Sequence, residues 1–157
     1  MARKIYILNG PNLNLLGTRE PEIYGSSTLD ELAGRCREVG SKVGLDVDFR
    51  QSNHEGELVE WIQGAIDRVD GIVINPAAYT HTSVAIHDAL RAYNGYKIEL
   101  HISNPHLRES FRHVSYVSPV VDSIIAGFGV RGYELSVEAM AEKLAADSSR
   151  IAPIGGN

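Results

Sequence analysis

The sequence predicts an α/β fold built on a doubly wound, five-stranded parallel sheet with helices on both faces. Three observations carry that prediction. Short β-like apolar runs alternate along the chain with helical hydrophobic stripes, which is the signature of βαβ units. Two of those runs, Ile5-Tyr6-Ile7-Leu8 and Ile72-Val73-Ile74, are apolar at every position, as strands covered on both faces must be. A third, Leu45-Asp46-Val47-Asp48-Phe49, alternates apolar with acidic and reads as an edge strand with one face toward water.

Taken in order, the first strand is Ile5 to Leu8 and runs into Asn9-Gly10-Pro11. Thr28-Leu29-Asp30-Glu31 then has the Thr-x-x-Glu form of a capping box, and Leu29, Leu32, Ala33, Cys36, Val39 and Val43 fall on one helical stripe behind it. The edge strand follows, and Leu58, Ile62, Ala65, Ile66 and Val69 make the second stripe. After the strand at Ile72, Ser83 caps a third helix through Tyr93, stopped by Asn94-Gly95. Ile98 to Ile102 is the fourth strand, a fifth lies within Val120 to Phe128, and Val137, Met140, Ala141 and Leu144 mark the last helix. With the second strand at an edge, these elements fit the order 2-1-3-4-5, in which ligands sit outside the carboxyl ends of the strands.

The chain has 157 residues, which bounds it to one domain, placed at 1–146. The small, polar segment from Asp147 to Asn157 is expected to be a disordered tail. Fifteen basic against twenty acidic residues give a net charge of −5 with no basic run, so nucleic acid and anionic membranes are not expected partners. The one cysteine, Cys36, has no partner for an internal disulfide, and no Cys/His set has zinc-ligand spacing. The apolar run at Ile5 is too short for a signal-peptide core and no 18-residue apolar span exists, so the expected compartment is the cytoplasm.

The strand ends hold the candidate chemistry. The first strand leads not into a Gly-x-Gly-x-x-Gly or P-loop pattern but into a long loop, Asn9 to Thr28, carrying Asn12, Arg19, Glu20, Tyr24 and Gly25. Loops longer than about 15 residues in a compact domain are more often functional than idle, and this one reads as a mobile lid or as a surface loop that an Arg and a Tyr merely decorate. Asn75, His81 and a helix N-terminus after the third strand suit an oxygen-rich anion, although Asn and Pro at a strand end are also ordinary turn chemistry. Glu99 and His101 lie two apart on one face of the fourth strand, and a carboxylate beside an imidazole favours its protonated form, a plausible general acid. A purely structural pair is the alternative. Lys4 and Lys97 fall at strand starts and Lys42 and Lys143 toward helix ends, so no lysine is placed for imine chemistry. No Ser or Cys stands in a nucleophile-elbow context, which leaves proton transfer by Tyr, His and carboxylate.

Several of these segments together resemble type II 3-dehydroquinate dehydratase: Asn9-Gly10-Pro11-Asn12-Leu13-Asn14-Leu15-Leu16-Gly17, Arg19-Glu20-Pro21, Tyr24-Gly25, Asn75 to Ser83, Glu99 to Asn104 and Arg108 to Arg112, in unbroken order from about Ile5 to Met140. The resemblance implies a flavodoxin-like subunit, a lyase that removes water from 3-dehydroquinate by anti elimination through an enolate, in shikimate biosynthesis or quinate breakdown, without metal or organic cofactor. It implies Tyr24 as the base with Arg19 beside it, His101 as the acid kept oriented and charged by Glu99, and Asn12 as the donor to the enolate oxygen through a water. A free tyrosine is only about 0.1% ionised at pH 7, and a guanidinium nearby favours the phenolate. The substrate carboxylate is assigned to the backbone N–H groups of Ile102 and Ser103 with Asn75, and its hydroxyls to His81 and Arg112. Asp88 is expected from a neighbouring subunit of a homododecamer built from trimers. Arg108 reads either as a further salt-bridge partner near the site or as a surface residue. Pro105 departs from the aliphatic residue common at that position in the family, with an expected effect on affinity rather than on reaction class. Two other modules of the same fold class compete. A receiver domain needs clustered acids where this chain has Asn9, Asn12 and Asn75, and a flavin carrier needs a phosphate-cradling first loop.

Overall fold

A computed structural model of the chain describes residues 2–148. These form one five-stranded parallel sheet in the order β2-β1-β3-β4-β5, the order expected from the sequence. The strands are β1 (Arg3–Asn9), β2 (Leu45–Gln51), β3 (Gly71–Asn75), β4 (Tyr96–His101) and β5 (Ser123–Ala126). The helices are α1 (Pro21–Tyr24), α2 (Leu29–Val43), α3 (Glu55–Ala65), α4 (Val84–Ala92) and α5 (Arg131–Ser148), with short 3₁₀ turns between them. Asp147 and Ser148 are therefore the last residues of α5, and the rest of the expected tail, 149–157, lies outside the described residues.

Strand parity divides the core in two. Ile5 and Ile7 of β1, Val73 of β3 and Ile98 and Leu100 of β4 point to one face, where Leu32 and Cys36 of α2 and Tyr133, Val137, Met140 and Leu144 of α5 cover them. Tyr6, Leu8, Ile72 and Ile74 point to the other, under Leu58, Ile62 and Ala65 of α3 and Ile86, Ala89 and Leu90 of α4. Each such aliphatic side chain contributes roughly 1.5–3 kcal/mol on burial, so the two sandwiched layers fix the central strands that carry the site.

The local signals act largely where the sequence places them. Thr28 caps α2 by accepting the Glu31 N–H at 3.2 Å. The Glu31 carboxylate, which a full capping box would turn back to Thr28, lies instead 4.0 Å from Arg35. Ser83 caps α4 by accepting the Ile86 N–H at 2.9 Å. Helix α3 ends at Ala65, so Ile66 and Val69 of the expected stripe belong to the following turn, where Asp67 takes φ +60°. On β2 the wet face is closed over by a cation: Arg50 bridges to Asp48 at 3.0 Å and lies 4.4 Å from the Tyr6 ring centroid. At the exit of β1, a Cβ on Gly10 would sit 2.3 Å from the Pro76 carbonyl oxygen, so only glycine lets the β1 and β3 loops come together there.

Candidate active site

The carboxyl ends of β1, β3 and β4 open into one cavity, whose free space including its mouth is about 740 Å³. Its walls bring together most of the residues singled out from the sequence: Asn12, Arg19, Tyr24, Asn75, His81, His101, Ile102, Ser103 and Arg112, with Pro105 and Arg108 beside them. Glu99 does not line it but sits behind His101, and Asp88 lies exposed on α4, outside the cavity. No lysine lines it; Lys97 is tied at the far end of β4, donating to the carbonyls of Leu90 and Tyr93 at 2.9 and 2.7 Å.

The sheet side of the cavity is saturated with hydrogen bonds. Glu99 is 1% exposed, and among the described residues four groups donate to its carboxylate. His101 Nε2 approaches Oε2 at 2.6 Å, Ser115 Oγ at 3.0 Å and Thr80 Oγ1 at 3.3 Å, while Ser118 Oγ donates to Oε1. Ser115 Oγ accepts the N–H groups of Val117 and Ser118 at 3.1 and 3.0 Å, so its single proton is directed at Glu99. Burial works to raise the Glu99 pKa, but the His101 hydrogen bond and charge, with the Ser118 and Ser115 hydroxyls, outweigh it and hold the carboxyl below its ordinary range. His101 therefore faces an ionised partner through Nε2 and keeps Nδ1 for a ligand.

His81 is set differently. Its Nδ1 lies 2.8 Å from the Val114 carbonyl, which can only accept, so Nδ1 carries the proton. Burial lowers its pKa, and the charges of His101 and Arg112 push the same way, so at neutral pH Nε2 is an acceptor suited to a ligand hydroxyl. Arg112 is held by Glu109 at 2.7 Å. Asn12 takes a left-handed φ of 70°, which Asn tolerates, and its N–H donates to Asn53 Oδ1 at 2.9 Å. Asn53 is held in turn by Gln51 Nε2 at 3.1 Å and Tyr79 Oη at 2.7 Å.

The loop side is more open. Tyr24 ends α1, a single helical turn inside the long loop, and Arg19 lies 5.8 Å from its ring centroid. Arg19 also faces Glu20 at 3.6 Å, both side chains being 42% exposed. The guanidinium on the phenol oxygen is that of Arg108, whose Nη1 donates to Tyr24 Oη at 2.8 Å. Of the two sequence readings of Arg108, the structure takes the one near the site. The sequence alone does not mark Thr80, Ser115 or Ser118 as partners of the site. The available signal was Glu99 itself, since a carboxylate inside a sheet must find donors.

The sequence model of the family described as "Dehydroquinase class II" matches residues 3–141. The chain belongs to that family. It is 57% identical over 143 residues to the 3-dehydroquinate dehydratase of Mesorhizobium japonicum, which spans 90% of this chain and 99% of that one. It is 61% identical over 137 residues to the 3-dehydroquinate dehydratase of Cereibacter sphaeroides, spanning 87% and 93%. Among solved structures, the type II dehydroquinase of Propionibacterium acnes superposes with a TM-score of 0.87 at 50% identity, covering 90% of this chain and 98% of that one. A dehydroquinase sheet with these strand ends is thus the frame on which the cavity is built.

Proposed function

We propose that this chain is a type II 3-dehydroquinate dehydratase, a hydro-lyase that converts 3-dehydroquinate to 3-dehydroshikimate and water. The observation that carries the reading is the cavity of a class II dehydroquinase holding a guanidinium-bound tyrosine hydroxyl and a glutamate-backed imidazole together.

In this reading Tyr24, as phenolate, takes the proton from the carbon next to the ketone, and that C–H electron pair becomes the enolate. Arg108 at 2.8 Å, with Arg19 near the ring, supplies the positive charge that stabilises the phenolate. Asn12, through a water, donates to the enolate oxygen as charge develops. The enolate then returns its electrons to form the carbon–carbon double bond, and the C–O bond on the opposite face breaks. His101 protonates the departing hydroxyl from Nδ1, leaving as water, while Glu99 on Nε2 holds the ring in place. Asn75 with the N–H groups of Ile102 and Ser103 binds the carboxylate, and His81 and Arg112 bind hydroxyls. No step calls for a metal or an organic cofactor.

Asp88 completes the site of a neighbouring chain in a homododecamer of trimers. Its exposure on α4 supports this, as do the exposed apolar side chains Val84, Phe111 and Val114, which a second copy would cover. No helix of the described residues is long and apolar enough to cross a membrane, and the cytoplasm is the compartment this reading takes. The direct test is to mix purified protein with 3-dehydroquinate and follow the ultraviolet absorbance of the conjugated product; a folded, assembled sample that gives no rise overturns the assignment. Light scattering should give the mass of twelve chains, and a fully active monomer would remove the role of Asp88.

A further inference from the structure

Asn9 and Asn75 are register partners at the ends of β1 and β3, and by strand parity both side chains point to the α5 face. Tyr133, in the first turn of α5, reaches them from below. It is fully buried, with its ring centroid 5.9 Å from that of Phe49, and it does not line the cavity. Its hydroxyl sits between the two amides, 2.7 Å from Asn9 Oδ1 and 2.9 Å from Asn75 Nδ2.

The direction of this chain of hydrogen bonds is fixed from both ends. Asn9 Nδ2 lies 3.0 Å from the Arg50 carbonyl, which can only accept, so Asn9 must turn its oxygen toward Tyr133. Tyr133 then gives its one proton to Asn9 and has only acceptor capacity left for Asn75, which must present nitrogen. From the other end, the Ala77 N–H donates to Asn75 Oδ1 at 3.2 Å, which demands the same orientation. Turning the Asn75 amide over would break both bonds and set donor against donor at Ala77. The second Nδ2 proton of Asn75, which has no hydrogen-bond partner among the described residues, is what this side chain offers to the cavity it lines. Burial also pushes the Tyr133 pKa above its ordinary value, so the hydroxyl keeps the proton the chain requires.

We propose that Tyr133, oriented by Asn9, is a positioning residue for substrate: it locks the Asn75 amide so that the cavity presents a hydrogen-bond donor to the substrate carboxylate. The ligand is the one named under the proposed function, and the inference rests on that reading. A donor held in place before binding loses no orientational freedom on contact, and without the Tyr133 hydroxyl only the 3.2 Å bond from the Ala77 N–H would hold the amide.

The test is a set of variants assayed with 3-dehydroquinate. Tyr133→Phe keeps the ring and removes the hydroxyl, and should raise KM about 5- to 20-fold while kcat stays within about threefold, the signature of lost ground-state binding. Asn75→Ala should show the same kind of rise. In the Asn75→Ala background, adding Tyr133→Phe should change KM by less than about twofold, because no amide remains to be oriented. An unchanged KM in Tyr133→Phe overturns the proposal, and so do two effects that multiply independently, as a merely structural hydroxyl would give. Should Tyr133→Phe not fold, Asn9→Ala attacks the chain from its other end by freeing the Tyr133 proton to turn toward Asn75. A KM rise with kcat retained supports the proposal there, and an unchanged KM overturns it. Wild-type protein that does not convert 3-dehydroquinate refutes the functional reading instead, and that result is read before any variant is made.

Discussion

The cavity has two kinds of wall. On the sheet side, Glu99 and Asn75 are almost fully buried, and each polar atom they carry toward the protein is met by a fixed partner. On the loop side, Tyr24 stands on one turn of helix, and Arg19 shares its exposed guanidinium with Glu20. The proposed acid and carboxylate-binding groups are thus organised by the fold before any ligand arrives, whereas the proposed base depends on a segment with few anchors. Preorganised dipoles need no rearrangement during reaction, so the sheet wall is suited to binding and to stabilising charge. The loop wall is suited to admitting substrate and then completing the site.

The largest effects should come from the groups that exchange protons, one on each wall. Tyr24→Phe and His101→Ala should each lower kcat by about 10²–10⁴-fold with the fold retained, measured by product absorbance alongside circular dichroism. Near-normal turnover in either would take that wall out of the chemistry. Next come the two arginines, which separate contact from proximity. Arg108→Ala removes the 2.8 Å bond to the Tyr24 hydroxyl and should cost about 10²-fold in kcat, read from the same product absorbance. Arg19→Lys keeps a charge at the more distant position and should cost about tenfold. If the order is reversed, Arg19 rather than Arg108 tunes the base in the working enzyme.

How much of this was legible follows from which residues speak for themselves. The sheet order was readable because β1 and β3 are apolar throughout while β2 alternates, and because Thr28 and Ser83 announce their helices. Glu99 and His101 were readable as a pair because period-two spacing on a strand puts both on one face. Arg108 was not readable as the partner of Tyr24, because 84 residues separate them and nothing local tells an arginine that folds back from one that faces water. Tyr133 was hidden for a related reason. An aromatic at the start of a helical stripe looks like core, and its hydroxyl acquires meaning only when two asparagines from different strands arrive in register beside it.

A smaller effect distinguishes binding from charge on the sheet wall. Glu99→Gln keeps the shape and removes the charge, and should lower kcat about 10- to 100-fold by weakening the hold on the protonated His101. Stability gives the sign of the charge independently. The folded-state pKa of Glu99 is held below its unfolded value of 4.5, so its stabilising contribution is complete above pH 4.5 and is lost as pH falls through the depressed value. The glutamine variant lacks that dependence. The gap in urea midpoint between wild type and Glu99→Gln should therefore narrow from pH 7 toward pH 3.5. A gap that widens would mean that the buried carboxyl is neutral at pH 7 and that the four donors do not act as described.

The smallest effect should come from thinning the cradle under Glu99. Ser118→Ala removes one of the groups donating to the carboxylate and leaves His101, Ser115 and Thr80 on Oε2. A hydrogen bond to a charged group contributes about 1.5–3 kcal/mol, but this one acts on the reaction only through Glu99 and His101, so kcat should fall only about 2- to 10-fold, with KM little changed because Ser118 touches no substrate-binding group. The number of donors is what separates this wall from the other: four groups hold one buried anion, whereas the Tyr24 hydroxyl is met by Arg108. Losing Ser118 should therefore matter less than losing Arg108 by about an order of magnitude, as both changes remove a donor to an anionic oxygen. A Ser118→Ala variant as impaired as Arg108→Ala would show that the acid, too, hangs on a single contact, and the contrast between the two walls would fail.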